Sequence, residues 1–146
     1  MHPKRQSAGF TLVELMIVVA IVAVLAAIAY PAYTSFVEQA NRTDATKTMT
    51  YDAQALQRCY SQYFTYANSA TTPCNVVIGT AASPDGWYSI TVAIPDAQDY
   101  TITAVPIKAP QTGDAQCASF TLASTGQQSA LNSGGTDNTR TCWGSN

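Results

Sequence analysis

The chain of 146 residues has one histidine, His2, and it stands next to the start. Imidazole catalysis and histidine-ligated metals are thereby excluded from everything after it. Charge is equally scarce, at 11% of residues, with seven Lys and Arg against nine Asp and Glu. A formal net charge of −2 argues against nucleic acid as the main partner, because Lys and Arg contacts to phosphate supply most of that affinity. The four cysteines, Cys59, Cys74, Cys117 and Cys142, include no C-x-x-C pair. That close spacing is what zinc and redox sites use. Nothing resembles a nucleophile beside a base, a phosphate loop or a metal cluster. We therefore expect no enzyme, no metal and no cofactor. Asp96 and Asp99 come nearest to a calcium loop, but two carboxylates without a third read as a solvated turn.

Also missing is any charge from Leu15 to Val37, a run of 23 residues. As a helix it would be about 34 Å long, against about 30 Å for a bilayer core. One carboxylate, Glu14, stands at its front. A charge inside such a segment costs about 2.5–3.5 kcal/mol on insertion scales, so it calls for a partner. Residues 1–9 carry Lys4 and Arg5 but no apolar core of their own, so they do not form an ordinary signal peptide. The two cations mark the cytoplasmic side and leave the rest of the chain facing outward. On that side an even number of cysteines reads as structural disulfides. Three connectivities are open. We expect Cys59–Cys74 and Cys117–Cys142, because each closes a loop between neighbouring elements.

The leader ending in Gly9, then Phe10-Thr11-Leu12-Val13-Glu14 and the apolar run, closely resembles the N-terminus of type IV pilins and of the pseudopilins of type II secretion. The resemblance implies cleavage between Gly9 and Phe10 by a prepilin peptidase that also methylates the new N-terminal Phe10. Loss of Lys4 and Arg5 would leave five cations against nine carboxylates, a balance of −4. It implies that Glu14 pairs with the terminal amine of Phe10 on a neighbouring subunit, setting register during assembly. In a low-dielectric bundle that attraction is far stronger than in water. The ordinary alternative is a carboxylate that reaches back to the head groups. Ala29-Tyr30-Pro31-Ala32-Tyr33 also resembles the pilin pattern, in which the proline gives a gentle bend.

The expected domains are a cleaved leader, 1–9; a transmembrane and assembly helix, 10–35; and a globular domain, 36–146. One long helix is expected from Phe10 to about Phe64, with Pro31 as its only interior break. Past Val37, Ala45, Met49, Ala53, Leu56, Tyr60 and Tyr63 recur at spacings of four and three and form one apolar stripe. Asp44, Lys47, Asp52 and Arg58 fall off it. Asn41-Arg42-Thr43 matches a glycosylation pattern but lies on the expected helix. Residues 65–86 read as loop, with Val76-Val77-Ile78 as a short strand or core plug.

Alternation predicts strands over 87–94, with Tyr88, Ile90 and Val92 on one face, and over 100–105, with Tyr100, Ile102 and Ala104. A third runs over 117–122 with Ala118, Phe120 and Leu122 inward, and 128–131 adds a short fourth. The fold class is α+β: a long N-terminal helix on a three- or four-stranded antiparallel sheet, the type IV pilin fold. Leu56 to Gln62, Phe64-Thr65-Tyr66, Phe120-Thr121-Leu122 and Cys142-Trp143 resemble minor pilins of the PilE type.

The expected function is structural: a subunit, most like a minor pilin, of a type IV pilus serving twitching or adhesion. Its partners would be other pilins, the prepilin peptidase and the inner-membrane assembly platform. It would sit in the inner membrane before assembly and in the extracellular fibre after. The readings kept beside it are a major pilin, a DNA-uptake pilin and a type II secretion pseudopilin. Glycine at the cut leaves the backbone open to a protease at a membrane face. Gly9→Val should therefore accumulate uncut precursor, and an intact-mass spectrum showing normal processing would refute the cleavage assignment.

Overall fold

The computed structural model describes residues 9–67 and 79–144. The chain divides into two compact units, Met1–Phe36 and Val37–Asn146. Helix α1, Leu12–Tyr63, has 52 residues and contributes to both. Thr11 starts it: its carbonyl accepts from the Leu15 N–H at 3.2 Å and its hydroxyl from the Glu14 N–H at 3.2 Å. A threonine N-cap with glutamate three residues on is a strong helix-start signal. The helix continues through Pro31, and the Thr34 hydroxyl donates to the Pro31 carbonyl at 2.9 Å. It stops at Phe64, whose φ of +54° turns the chain out of helical geometry. Tyr63 is therefore 39% exposed rather than part of the buried stripe.

In the second unit the buried stripe is Ala45, Met49, Ala53, Leu56 and Cys59, with Tyr60 partly buried beside it. It packs on a five-stranded antiparallel meander: β1 Gly79–Ala82, β2 Tyr88–Ala93, β3 Thr101–Pro106, β4 Ser119–Ala123 and β5 Gln128–Leu131. Strand β1 corrects the expectation of three or four. Gly-Thr-Ala-Ala has little strand propensity and lies in a stretch read as loop. Pairing with β2 holds it, helped by a 3.0 Å hydroxyl contact between Thr80 and Thr91. The expected strand or plug at 76–78 lies outside the described residues.

The register buries alternate residues as expected: Tyr88, Ile90 and Val92 on β2, Ile102 and Ala104 on β3, Phe120 and Leu122 on β4. Ala118 precedes β4 and is only half-buried. Asp96 closes the β2–β3 turn by accepting from the Gln98 and Asp99 N–H groups at 2.7 and 3.0 Å. Gly126, at φ +82°, makes the β4–β5 turn.

Strand β5 is an edge, and edges invite unwanted pairing. The tail covers it. The Ala130 N–H donates to Thr139 Oγ1 at 2.9 Å, and the Ala130 carbonyl accepts from the Asn138 N–H at 2.9 Å. The short helix α2, Thr139–Trp143, brings the Trp143 indole N–H to the Ser129 carbonyl at 2.9 Å. The Cys117–Cys142 disulfide, with Cα atoms 5.7 Å apart, fastens this tail to the start of β4. The partner expected for Cys59 is Cys74, which lies outside the described residues.

Tyr88 and Phe120 meet edge to face at 5.7 Å, and Phe120 meets Trp143 at 6.0 Å. Tyr88 is fully buried, with its hydroxyl accepting from Gln111 Nε2 at 2.7 Å. Burial pushes its pKa up to about 12, although the Gln111 bond pulls the other way. An ordinary phenol titrates near 10. Above about pH 10 the unfolded chain therefore loses this proton first, and stability falls from about pH 10 to about pH 12. Denaturant midpoints should drop across that window, and Tyr88→Phe should flatten the drop. An unchanged slope in the variant would contradict the assignment.

Candidate functional site

Two regions carry functional expectations. The first is the front of α1. Phe10 is 88% exposed. None of the most apolar 18-residue window of the helix is buried, and its mean hydropathy is 3.0. Its backbone bonds are internal, which a lipid environment requires. Among the described residues its side chains are exposed. Burying one Val, Leu or Ile is worth about 1.5–3 kcal/mol, so water is a poor place for this surface. Glu14 sits in the first turn, where the helix dipole favours a negative charge. Its own N–H is the group held by Thr11.

The second region is the outer side of α1 in the globular unit. Lys47, Tyr51, Gln54 and Arg58 are spaced four, three and four residues apart, and all are exposed. Such spacing puts them on one helical stripe. Two adjoining hollows, of about 400 and 460 Å³, run along it toward β5 and share Thr50, Gln54 and Gln128. Lys47, Tyr51 and Trp143 line the first, and Arg58 lines the second. Among the described residues no Asp or Glu lines either, although Ser124 in the second donates to the Asp99 carboxylate at 2.7 Å.

Asp44, expected merely to fall off the apolar stripe, is buried. It accepts from the Ser83 hydroxyl and from the Asp85 and Trp87 N–H groups at 3.3 and 3.4 Å. These bonds organise the β1–β2 turn. Asp52 is half-buried, and burial raises its pKa. Arg42 is buried too: its guanidinium donates twice to Asp114, at 2.7 and 2.8 Å. Asp114 also accepts from the Gln116 N–H at 3.1 Å and the Cys117 N–H at 3.3 Å.

This ion pair spans 72 positions, so no local spacing announces it. The buried side-chain nitrogen of Asn41 has no partner among the described residues, a poor position for a glycan. Lys108 stands over the Trp87 ring at 4.9 Å, away from the hollows. Gly9, Phe10 and Glu14 are described, as is Pro31 within α1; the leader at 1–8 lies outside the described residues.

Residues 4–30 match the family described as the prokaryotic N-terminal methylation motif. Residues 31–121, well over half of the chain, match the family described as type IV minor pilin ComP, DNA uptake sequence receptor. No curated protein matches the chain.

Breaking one side of a buried pair strands the other charge, at a cost of about 3–5 kcal/mol. Asp114→Asn should therefore lower stability by that order. Arg42→Met with Asp114→Leu should recover part of the loss. A single variant within about 0.5 kcal/mol of the parent in chemical denaturation would show that the pair does not pin the helix.

Proposed function

The chain belongs to the type IV minor pilins of the ComP family, and from that premise we propose that it is the DNA-receiving subunit of a type IV pilus. It is anchored in the inner membrane before assembly and stands in the extracellular fibre after. Pilins of this kind are structural rather than enzymatic. The match over 31–121 carries the reading, since it covers α1 from Pro31 onward and most of the sheet.

In this reading the prepilin peptidase cuts between Gly9 and Phe10 and methylates Phe10. The exposed apolar helix then exchanges lipid for the helices of neighbouring subunits. Glu14 meets the Phe10 amine of one of them. DNA is held by the globular unit, which faces outward. The expected twitching or adhesion would belong to the fibre that carries this subunit.

The test is a deletion strain whose sheared pili are counted and exposed to labelled DNA. Fibres should remain in comparable number while DNA retention drops sharply. Restoring the Glu14→Ala form should fail to return the subunit to the fibre. Loss of all fibres on deletion, or unchanged DNA retention, would contradict the proposal.

A further inference from the structure

A peptide bond inside a helix is a poor substrate for a peptidase. Its carbonyl oxygen accepts from the N–H four residues on, and the surrounding turn shields the carbonyl carbon from attack by water. Helix α1 stops just short of that situation. It begins at Leu12, while Gly9 and Phe10 lie outside it and are exposed. Resting on the reading that the Gly9–Phe10 bond is cut, we infer that Thr11 is a positioning residue for that cleavage. Its hydroxyl fixes the helix boundary just after Phe10 and keeps the Gly9 carbonyl open to the peptidase.

The first helical bond runs from the Leu15 N–H to the Thr11 carbonyl at 3.2 Å. The next one back would join the Glu14 N–H to the Phe10 carbonyl. The one after it would join the Val13 N–H to the Gly9 carbonyl, in the scissile peptide itself. The Glu14 N–H is instead taken by the Thr11 hydroxyl, also at 3.2 Å. Among the described residues neither the Gly9 nor the Phe10 carbonyl accepts a backbone hydrogen bond. In apolar surroundings this capture matters more than in water. An N–H left unpaired there is costly, so a Glu14 N–H without its cap would draw the helix back over Phe10. Gly9 works in the same direction as Thr11, since glycine is a poor helix residue. Between them Phe10 stays outside the helix with its side chain 88% exposed.

The experiment follows the full chain from precursor to product in membranes containing the prepilin peptidase, by pulse labelling and the mass lost with the leader. Thr11→Ala removes the cap and should slow cleavage about fivefold, the population shift that a typical cap loss brings. Thr11→Ser restores a hydroxyl and should be cut at the parent rate. Thr11→Gly has no hydroxyl, yet glycine caps nearly as well as threonine, so it should stay within about twofold of the parent. Carbon-13 shifts of Gly9 and Phe10, recorded in detergent without peptidase, should move toward helical values in Thr11→Ala and stay in place in the other two. Thr11 is exposed and lies outside the globular core, so none of these changes disturbs that unit.

A Thr11→Gly precursor cut as slowly as Thr11→Ala would mean that the peptidase reads the hydroxyl itself, and would overturn the role of the cap. So would a Thr11→Ala precursor cut at the parent rate, or one cut slowly with its Gly9 and Phe10 shifts unchanged. In each of these cases the parent is still cut and Gly9→Val still accumulates precursor, so only the role of Thr11 falls. A parent chain that keeps its leader would bring down the cleavage reading and this inference together.

Discussion

A helix can satisfy every backbone group within itself and still have nowhere to put its side chains. That is the constraint on the front half of α1. Among the described residues none of its apolar window is buried, and the globular unit has already closed its own core around Met49, Leu56, Tyr88 and Phe120. A bilayer can solvate such a surface, and so can a bundle of similar helices. The passage from one to the other is what the fibre requires of its subunit. On the proposed pairing with the Phe10 amine of a neighbour, Glu14, costly in lipid, would favour the bundle over the bilayer.

The globular unit distributes its few charges unevenly, and the unevenness has structural causes. Asp44 and Asp114 are drawn inward, one to form the β1–β2 turn, the other to hold Arg42 and the backbone leading into β4. Lys47 and Arg58 remain exposed on the same helix. The interactions that fasten helix to sheet thus remove negative charge from the helix surface. The tail, tied by Cys117–Cys142, protects β5 and forms one wall of the adjoining hollow through Trp143. Stability and exposed chemistry here share the same residues.

The sequence displays clearly what has a period. The 3.6-residue stripe from Ala45 to Leu56 and the two-residue alternation in β2, β3 and β4 reappear as buried faces. The Gly9 to Glu14 motif is equally plain because it is contiguous. What lacks period was not legible. Strand β1 is a weak sequence held by its neighbour, and Tyr63 fell out of its stripe because the chain turns at Phe64. Arg42, Asp44 and Asp114 look like surface charges until folding joins positions far apart. The hollows beside α1 were hidden for the same reason: Lys47, Tyr51, Gln54 and Arg58 are a visible stripe, but the residues that face it come from β5 and the tail.

The central claim is that α1 enters a fibre through a freshly exposed, modified end. The most direct measurement is the intact mass and N-terminal fragment spectrum of this subunit recovered from sheared pili. The account predicts a chain beginning at N-methylated Phe10. A polypeptide still beginning at Met1, or one absent from the pili altogether, would contradict it.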